Sequence, residues 1–156
     1  DTLRENVALG TNDDQVTVER ATEISHLAPD LDVLPDRLET IVGERGVTLS
    51  GGQKQRTALA RAVIRHPSIL ILDDAMSSVD THTEEDILDG LRTVMAERTT
   101  ILISHRISTV QHADQIIVID DSSIAEKGKH QDLIDQDGIY ADMYARQQLR
   151  QELDEI

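Results

Sequence analysis

The 156 residues contain no cysteine, no phenylalanine and no tryptophan. Without cysteine there is neither a disulfide framework nor a thiolate metal site, which fits a reducing compartment. Without Phe or Trp the core has to be aliphatic, and 38% apolar residues in a chain the length of one ordinary domain are compatible with such a core. Basic residues are scarce: 15 Lys and Arg stand against 30 Asp and Glu, a net charge of −15. A field of that sign repels phosphate backbones and anionic headgroups, so nucleic acid is not an expected partner. No apolar run approaches the roughly 20 residues that span a bilayer. No signal-peptide pattern opens the chain, and the segment is expected to lie in water.

A further absence is chemical. No G-x-x-x-x-G-K-[ST] phosphate loop occurs, and the nearest echo, Gly128-Lys129, is followed by His130 and has no glycine five residues upstream. What the chain does hold reads as the other half of a nucleotide site. Leu49-Ser50-Gly51-Gly52-Gln53 precedes a helix-forming stretch, one apolar run closes on Asp73-Asp74, and another closes on His105. Ser-Gly-Gly ahead of a helix offers a hydroxyl and several backbone N–H groups at the positive helix end, which is chemistry suited to a phosphate. Taken alone, the same residues are also a glycine turn with a serine N-cap.

The first fifty residues read as helical and irregular, with Thr11-x-x-Asp14 as a cap, a helix ending near Pro29 and a break at Pro35. From Gly51 to His66, Leu59, Ala62 and Val63 form an apolar stripe; Lys54, Arg61 and Arg65 share a solvated side, and Pro67 stops the helix. Ile69-Leu70-Ile71-Leu72 is a continuous β-prone run, which predicts a strand covered on both faces in a parallel sheet. Thr81-x-x-Glu84 predicts a capping box for a helix that buries Ile87, Leu88, Leu91, Val94 and Met95. A strand from Thr99 to Ser104 completes a βαβ unit with a right-handed crossover. A third strand from Gln115 to Ile119, a turn at Asp120-Asp121-Ser122, a short Ile124 to Glu126 segment and helices around Leu133 and Tyr140 follow. His26, His66, His82, His112 and His130 show no metal-ligand spacing, and the acidic residues from Glu152 to Glu155 read as a solvated tail.

These sites, in this order and spacing, resemble the ATP-binding cassette family, exporter type, from about Asp1 to about Gln148. By that resemblance Leu49, Ser50, Gly51, Gly52 and Gln53 are the signature loop, Ile69 to Asp73 the Walker B strand, and His105 the switch histidine. Ser77-Ser78-Val79-Asp80 resembles the D-loop, and Gly43-Glu44-Arg45-Gly46 the X-loop that meets transmembrane coupling helices. Asp1 to Val7 looks like the stretch after the Q-loop, so the chain reads as an N-terminally truncated piece. The implied fold is α/β: a P-loop NTPase-like cassette reduced to a helical subdomain over 1–66, the Walker B, D-loop and switch part of a mainly parallel core over 67–128, and C-terminal helices with an acidic tail over 129–156.

The resemblance also implies chemistry. ATP and Mg²⁺ are the expected cofactors in a full-length dimer, the signature loop and Asp80 serving nucleotide and Asp73 the metal. Asp73 is otherwise a plain acid at a strand end, His105 a loop histidine, and Asp80 part of a polar turn. Asp74 stands where the family pattern usually has glutamate, the base that orients the attacking water. Aspartate is shorter by one bond, roughly 1.5 Å, and a misplacement near 1 Å costs about 10²-fold in rate. The chain is therefore expected to be the degenerate half of a heterodimer, joined to transmembrane domains at the cytoplasmic face of the cell membrane. By itself it should be inactive, for want of the phosphate-loop lysine and Q-loop glutamine. The family's phosphate-loop strand lies between the strand ending at Ser104 and the strand from Gln115, so two apolar edges are expected to stay open and drive self-association, strand swapping or repacking. Two other classes fit the same motifs: a non-hydrolytic regulator without a phosphate loop, and a soluble cassette ATPase of DNA repair or translation.

Overall fold

The computed structural model describes residues 1–11, 15–44 and 46–154. They form two units, Asp1–Ile101 and Leu102–Ile156. Among the described residues the strands make two separate two-stranded sheets, and no helix is long and apolar enough to cross a membrane.

The first unit begins with α1 (Leu3–Val7), capped by a reciprocal pair in which Thr2 Oγ1 accepts from the Glu5 N–H and the Glu5 carboxylate accepts from the Thr2 N–H. The chain continues through α2 (Gln15–Ile24), 3-10 turns at Ala28–Val33 and Arg37–Glu39, and α3 (Gly51–Val63). The expected cap residue Asp14 lies outside the described residues, while the Thr11 hydroxyl donates 2.8 Å to the Ala8 carbonyl behind it. Helix α2 ends short of Pro29: His26 takes a left-handed φ of 55°, and Pro29 falls inside the following 3-10 turn. Leu3, Val7, Val18, Leu27, Leu31 and Leu38 close an aliphatic core over Ala60 of α3 and its C-cap Ile64. Burying each large side chain there contributes about 1.5–3 kcal/mol.

Two expectations for α3 change. Ala60, not Ala62, is among its buried residues. Arg61 is not solvated: its Nε donates 2.7 Å to the Asn6 carbonyl and its Nη2 3.2 Å to Asn6 Oδ1. The guanidinium thereby satisfies a carbonyl in the last turn of α1 that has no partner within that short helix.

Strand β1 (Ile69–Asp73) leads through a turn to α4 (Thr81–Ala96) and then to β2 (Thr99–Ile103), which pairs with β1. The expectation that β1 is covered on both faces fails. Leu70 and Leu72 are 3% and 5% exposed, whereas Ile69 and Ile71 are 59% and 60% exposed. An unbroken apolar run is chemically uniform, but a strand sends alternate side chains to opposite faces, and among the described residues only one of those faces is covered. The α4 cap also differs. Asp80, not Thr81, is the N-cap, with Asp80 Oδ1 accepting from the Thr83 N–H at 3.0 Å. Glu84 is not a capping-box partner but lies on the buried side of α4 with Ile87, Leu91 and Val94. Gly90 lets α4 approach α2 closely: a Cβ there would fall 2.5 Å from the Ile24 carbonyl oxygen.

The second unit contains α5 (Ile107–Val110), the hairpin of β3 (Ile116–Asp120) and β4 (Ser123–Gly128), α6 (His130–Asp135) and α7 (Ile139–Asp154). β3 and β4 pair antiparallel, Ile116 opposite Gly128 and Asp120 opposite Ser123, with a register shift between Val118 and Ile119. Asp121 and Ser122 both have positive φ, 44° and 62°, the backbone a tight hairpin turn demands. β4 is longer than the short segment expected. The core of this unit is not purely aliphatic: Tyr140 is buried among Ile107, Ile116, Val118 and Leu133. Its hydroxyl reaches His130 Nδ1 at 2.8 Å, and burial, aided by Tyr144, raises its pKa above the ordinary tyrosine value. Gly128-Lys129 is the junction of β4 and α6, where the Asp132 carboxylate accepts from the Lys129 N–H.

Candidate functional site

The loop before α3 is built by capping. Leu49 is buried in the core of the first unit and anchors the segment. Ser50, the N-cap, accepts from the Gln53 N–H at 3.2 Å, and Gln53 Oε1 accepts from the Ser50 N–H at 3.0 Å. Ser50 Oγ acts here as an acceptor, so its own O–H proton is free to donate to a ligand. The Gly51 and Gly52 N–H groups lie in the first turn, where no helix supplies acceptors. One serine thus caps the helix and keeps a hydroxyl proton to donate.

Gln53 faces its own loop. Besides the cap, Gln53 Nε2 reaches Asp30 Oδ1 at 3.4 Å. Asp30 Oδ2 takes two bonds from Arg56, at 2.8 Å from Nε and 2.7 Å from Nη2. Asp30, Arg56 and Gln55, which bonds to Ser77 Oγ, hold the loop. Sequence reasoning misses them because side-chain partners 22 to 26 residues apart leave no local signal.

Asp73 ends β1 and is exposed. Its carboxylate has no hydrogen-bond or ion-pair partner among the described residues, so its oxygens are open to a hard cation. Among those residues no three His, Cys, Asp or Glu side chains gather as a metal cage. A lone carboxylate suits Mg²⁺, which is commonly bound by one or two carboxylates together with substrate phosphates and water. Asp74, also exposed, has a left-handed φ of 48°, which a short acid tolerates better than most side chains. The turn then runs to Asp80, whose carboxyl is held down at about 2, from an ordinary 3.8, chiefly by the Thr83 backbone N–H and then by the Thr83 hydroxyl.

Relationships to known proteins converge on one group. Residues 1–77 match the ABC transporter family. The chain is 48% identical over 149 residues to a probable multidrug resistance ABC transporter ATP-binding/permease protein of Bacillus subtilis, covering 95% of this chain and 26% of that protein. It is 46% identical to an ATM1-type heavy metal exporter of Novosphingobium aromaticivorans, covering 94% and 24%. Against an ATP-dependent lipid A-core flippase of Vibrio vulnificus identity is 43%, covering 92% and 25%. A solved bacterial Atm1-family ABC exporter with ATP bound superimposes with a TM-score of 0.87 at 46% identity, over 94% of this chain and 26% of that one. The chain belongs to the ABC transporter family. It spans about a quarter of the length of the curated relatives it matches.

Its fold is that of the corresponding part of an ABC exporter's nucleotide-binding domain. In the second unit of this cassette segment, His105 is exposed on the loop between β2 and α5, and its ring has no hydrogen-bond partner among the described residues. Ser104 Oγ accepts from the Arg106 N–H at 3.0 Å and donates to Thr109 Oγ1 at 3.2 Å, tightening the loop around His105. Gln147 of α7 accepts from the Ile107 N–H at 2.8 Å, capping α5. Of the X-loop-like residues, Arg45 lies outside the described residues; Gly43 has a φ of 115°, and the Gly46 N–H donates to its carbonyl in a tight turn.

Proposed function

We propose that these residues work within the ATP-binding domain of a membrane exporter, presenting the signature loop to ATP held by a second cassette in a head-to-tail dimer. The observation that carries this reading is the start of α3, where Ser50 caps the helix and still has a proton to donate beside the first-turn N–H groups of Gly51 and Gly52.

Bound nucleotide would supply the phosphoryl group to be cleaved and Mg²⁺ the charge that neutralises its oxygens. Asp73 would hold the metal, directly or through water. Asp74 would orient the attacking water, and His105 would donate to the γ-phosphate from the switch loop. Asp80 would steady the D-loop at the dimer interface by capping α4. With aspartate at position 74 this site is the weaker of two, and the partner cassette is a different chain carrying the competent base. The helical segment 1–66, with its X-loop-like turn, would meet the transmembrane domains on the cytoplasmic side; 67–128 would carry the chemistry and 129–156 would brace it. Alone, the 156 residues would not hydrolyse ATP, because the phosphate-loop lysine and Q-loop glutamine are supplied from outside them. The relatives' names span drugs, a heavy metal and lipid A-core, so the shared element is the ATP-driven step and no cargo follows.

The test is ATP turnover at this chain's own site, read in the full-length protein assembled with a partner whose catalytic base has been removed. His105→Ala should cut the rate by about 10²-fold or more, the scale of losing a positioned catalytic group. Unchanged turnover would make His105 a structural loop residue.

A further inference from the structure

The signature helix and the turn after β1 are tied by one side chain. Gln55 Nε2 donates 2.9 Å to Ser77 Oγ, and Gln55 Oε1 accepts 2.9 Å from the Ser78 N–H. The backbones are close at the same place: a Cβ on Gly52 would lie 3.4 Å from the Ser78 carbonyl oxygen, and one on Gly51 3.7 Å from Ser78 Cβ. On the far side the turn is pinned by buried Met76 and Val79. Its own bonds run from the Ser77 N–H to the Asp74 carbonyl at 3.2 Å and from the Val79 N–H to the Met76 carbonyl at 3.3 Å. Ser77 and Ser78 are left facing Gln55.

Helix geometry makes this tie independent of the Asp30 anchor. Gln53 and Arg56 are three residues apart and lie on one side of α3, while Gln55 is turned about 200° from Gln53 at 3.6 residues per turn. The Ser50-Gly51-Gly52 turn is therefore held from two directions, by Asp30 on one and by Ser77-Ser78 on the other. We infer that Gln55 is a positioning residue: it locks the signature loop to the D-loop, so that the turn leading from Asp73-Asp74 and the loop facing the partner's nucleotide move as one body. The role of that loop rests on the function proposed above; the tie itself does not.

The carboxamide chemistry fixes the test. Gln55→Leu keeps the volume and removes both bonds. Gln55→Glu restores them, since a carboxylate accepts from the Ser78 N–H and from the Ser77 hydroxyl alike. In the full-length protein without nucleotide, Gln55→Leu should speed amide hydrogen exchange across Ser77 to Val79 and Gly51 to Gln53 by about tenfold, the factor for one hydrogen bond of ordinary strength. Gln55→Glu should return it to the wild-type rate. ATP turnover should follow, with kcat down at least about tenfold in Gln55→Leu at an unchanged unfolding midpoint, and recovered in Gln55→Glu. Unchanged exchange in Gln55→Leu, or Gln55→Glu behaving like Gln55→Leu, overturns the inference. A wild-type protein that exchanges as described but hydrolyses no ATP overturns the proposed function and leaves the tie standing.

Discussion

Asp30 and Arg56 form a largely sequestered ion pair: Asp30 Oδ2 sits 2.7 Å from Arg56 Nη2 and 2.8 Å from Nε, with side chains only 18% and 13% exposed. The pair joins the 3-10 turn at Ala28–Val33 to α3. Truncating one partner strands the other charge where water solvates it poorly. Asp30→Ala should therefore lower stability by about 2 kcal/mol, and Asp30→Asn by less, because an amide oxygen still accepts from the guanidinium. Urea unfolding of the full-length protein measures this at the cassette transition; equal stability of Asp30→Ala and wild type would show the pair to be energetically idle.

Asp80 makes a prediction about pH. Its folded pKa, about 2, lies below the ordinary 3.8, because the Thr83 N–H binds the charged form. A carboxyl depressed by folding stabilises the fold above its unfolded value and loses that contribution as pH falls through the folded one. The window is therefore roughly pH 4 down to pH 2. Asp80→Asn keeps a good N-cap without a titrating group, so its stability should fall less steeply than that of wild type across this window. Parallel curves would mean that Asp80 titrates normally.

Asp74 bears on the unequal-site proposal. Asp74→Glu lengthens the side chain by roughly 1.5 Å at a left-handed residue, and that conformation costs about 1 kcal/mol more for a longer side chain. Turnover at this chain's own site in the assembled transporter should nevertheless rise by at least about tenfold. No gain would remove the case for a degenerate half.

Much of this was legible because it is local. Ser50-Gly51-Gly52, the acids after an apolar run and His105 can be read in a line, and the structure places them at a helix start, a strand end and a post-strand loop. Thr2-x-x-Glu5 was equally legible and fell outside the expectations, while Thr81-x-x-Glu84 misled. Asp80 is the stronger cap, and its carboxylate takes the Thr83 N–H before a threonine one residue on can act. The exposure of Ile69 and Ile71 was not legible, because four apolar residues in a row carry no mark of which face finds a partner. Nor were Gln55, Asp30 and Gln147, whose roles depend on residues brought close only by the fold.

In the proposed function Ser50-Gly51-Gly52 faces a ligand and is more than a helix cap. Gly51 separates the two readings, since a Cβ there meets only Ser78 at ordinary van der Waals distance and its φ lies outside the left-handed region. Gly51→Ala should fold as well as wild type, with helix propensity in its favour by up to about 1 kcal/mol. The measurement is the ATP turnover of full-length Gly51→Ala beside its unfolding midpoint. The ligand-facing reading predicts turnover lowered at least about tenfold at an unchanged or higher midpoint, because a methyl group at the first helical position narrows the approach to the Gly51 and Gly52 N–H groups. Wild-type turnover at that midpoint would contradict it.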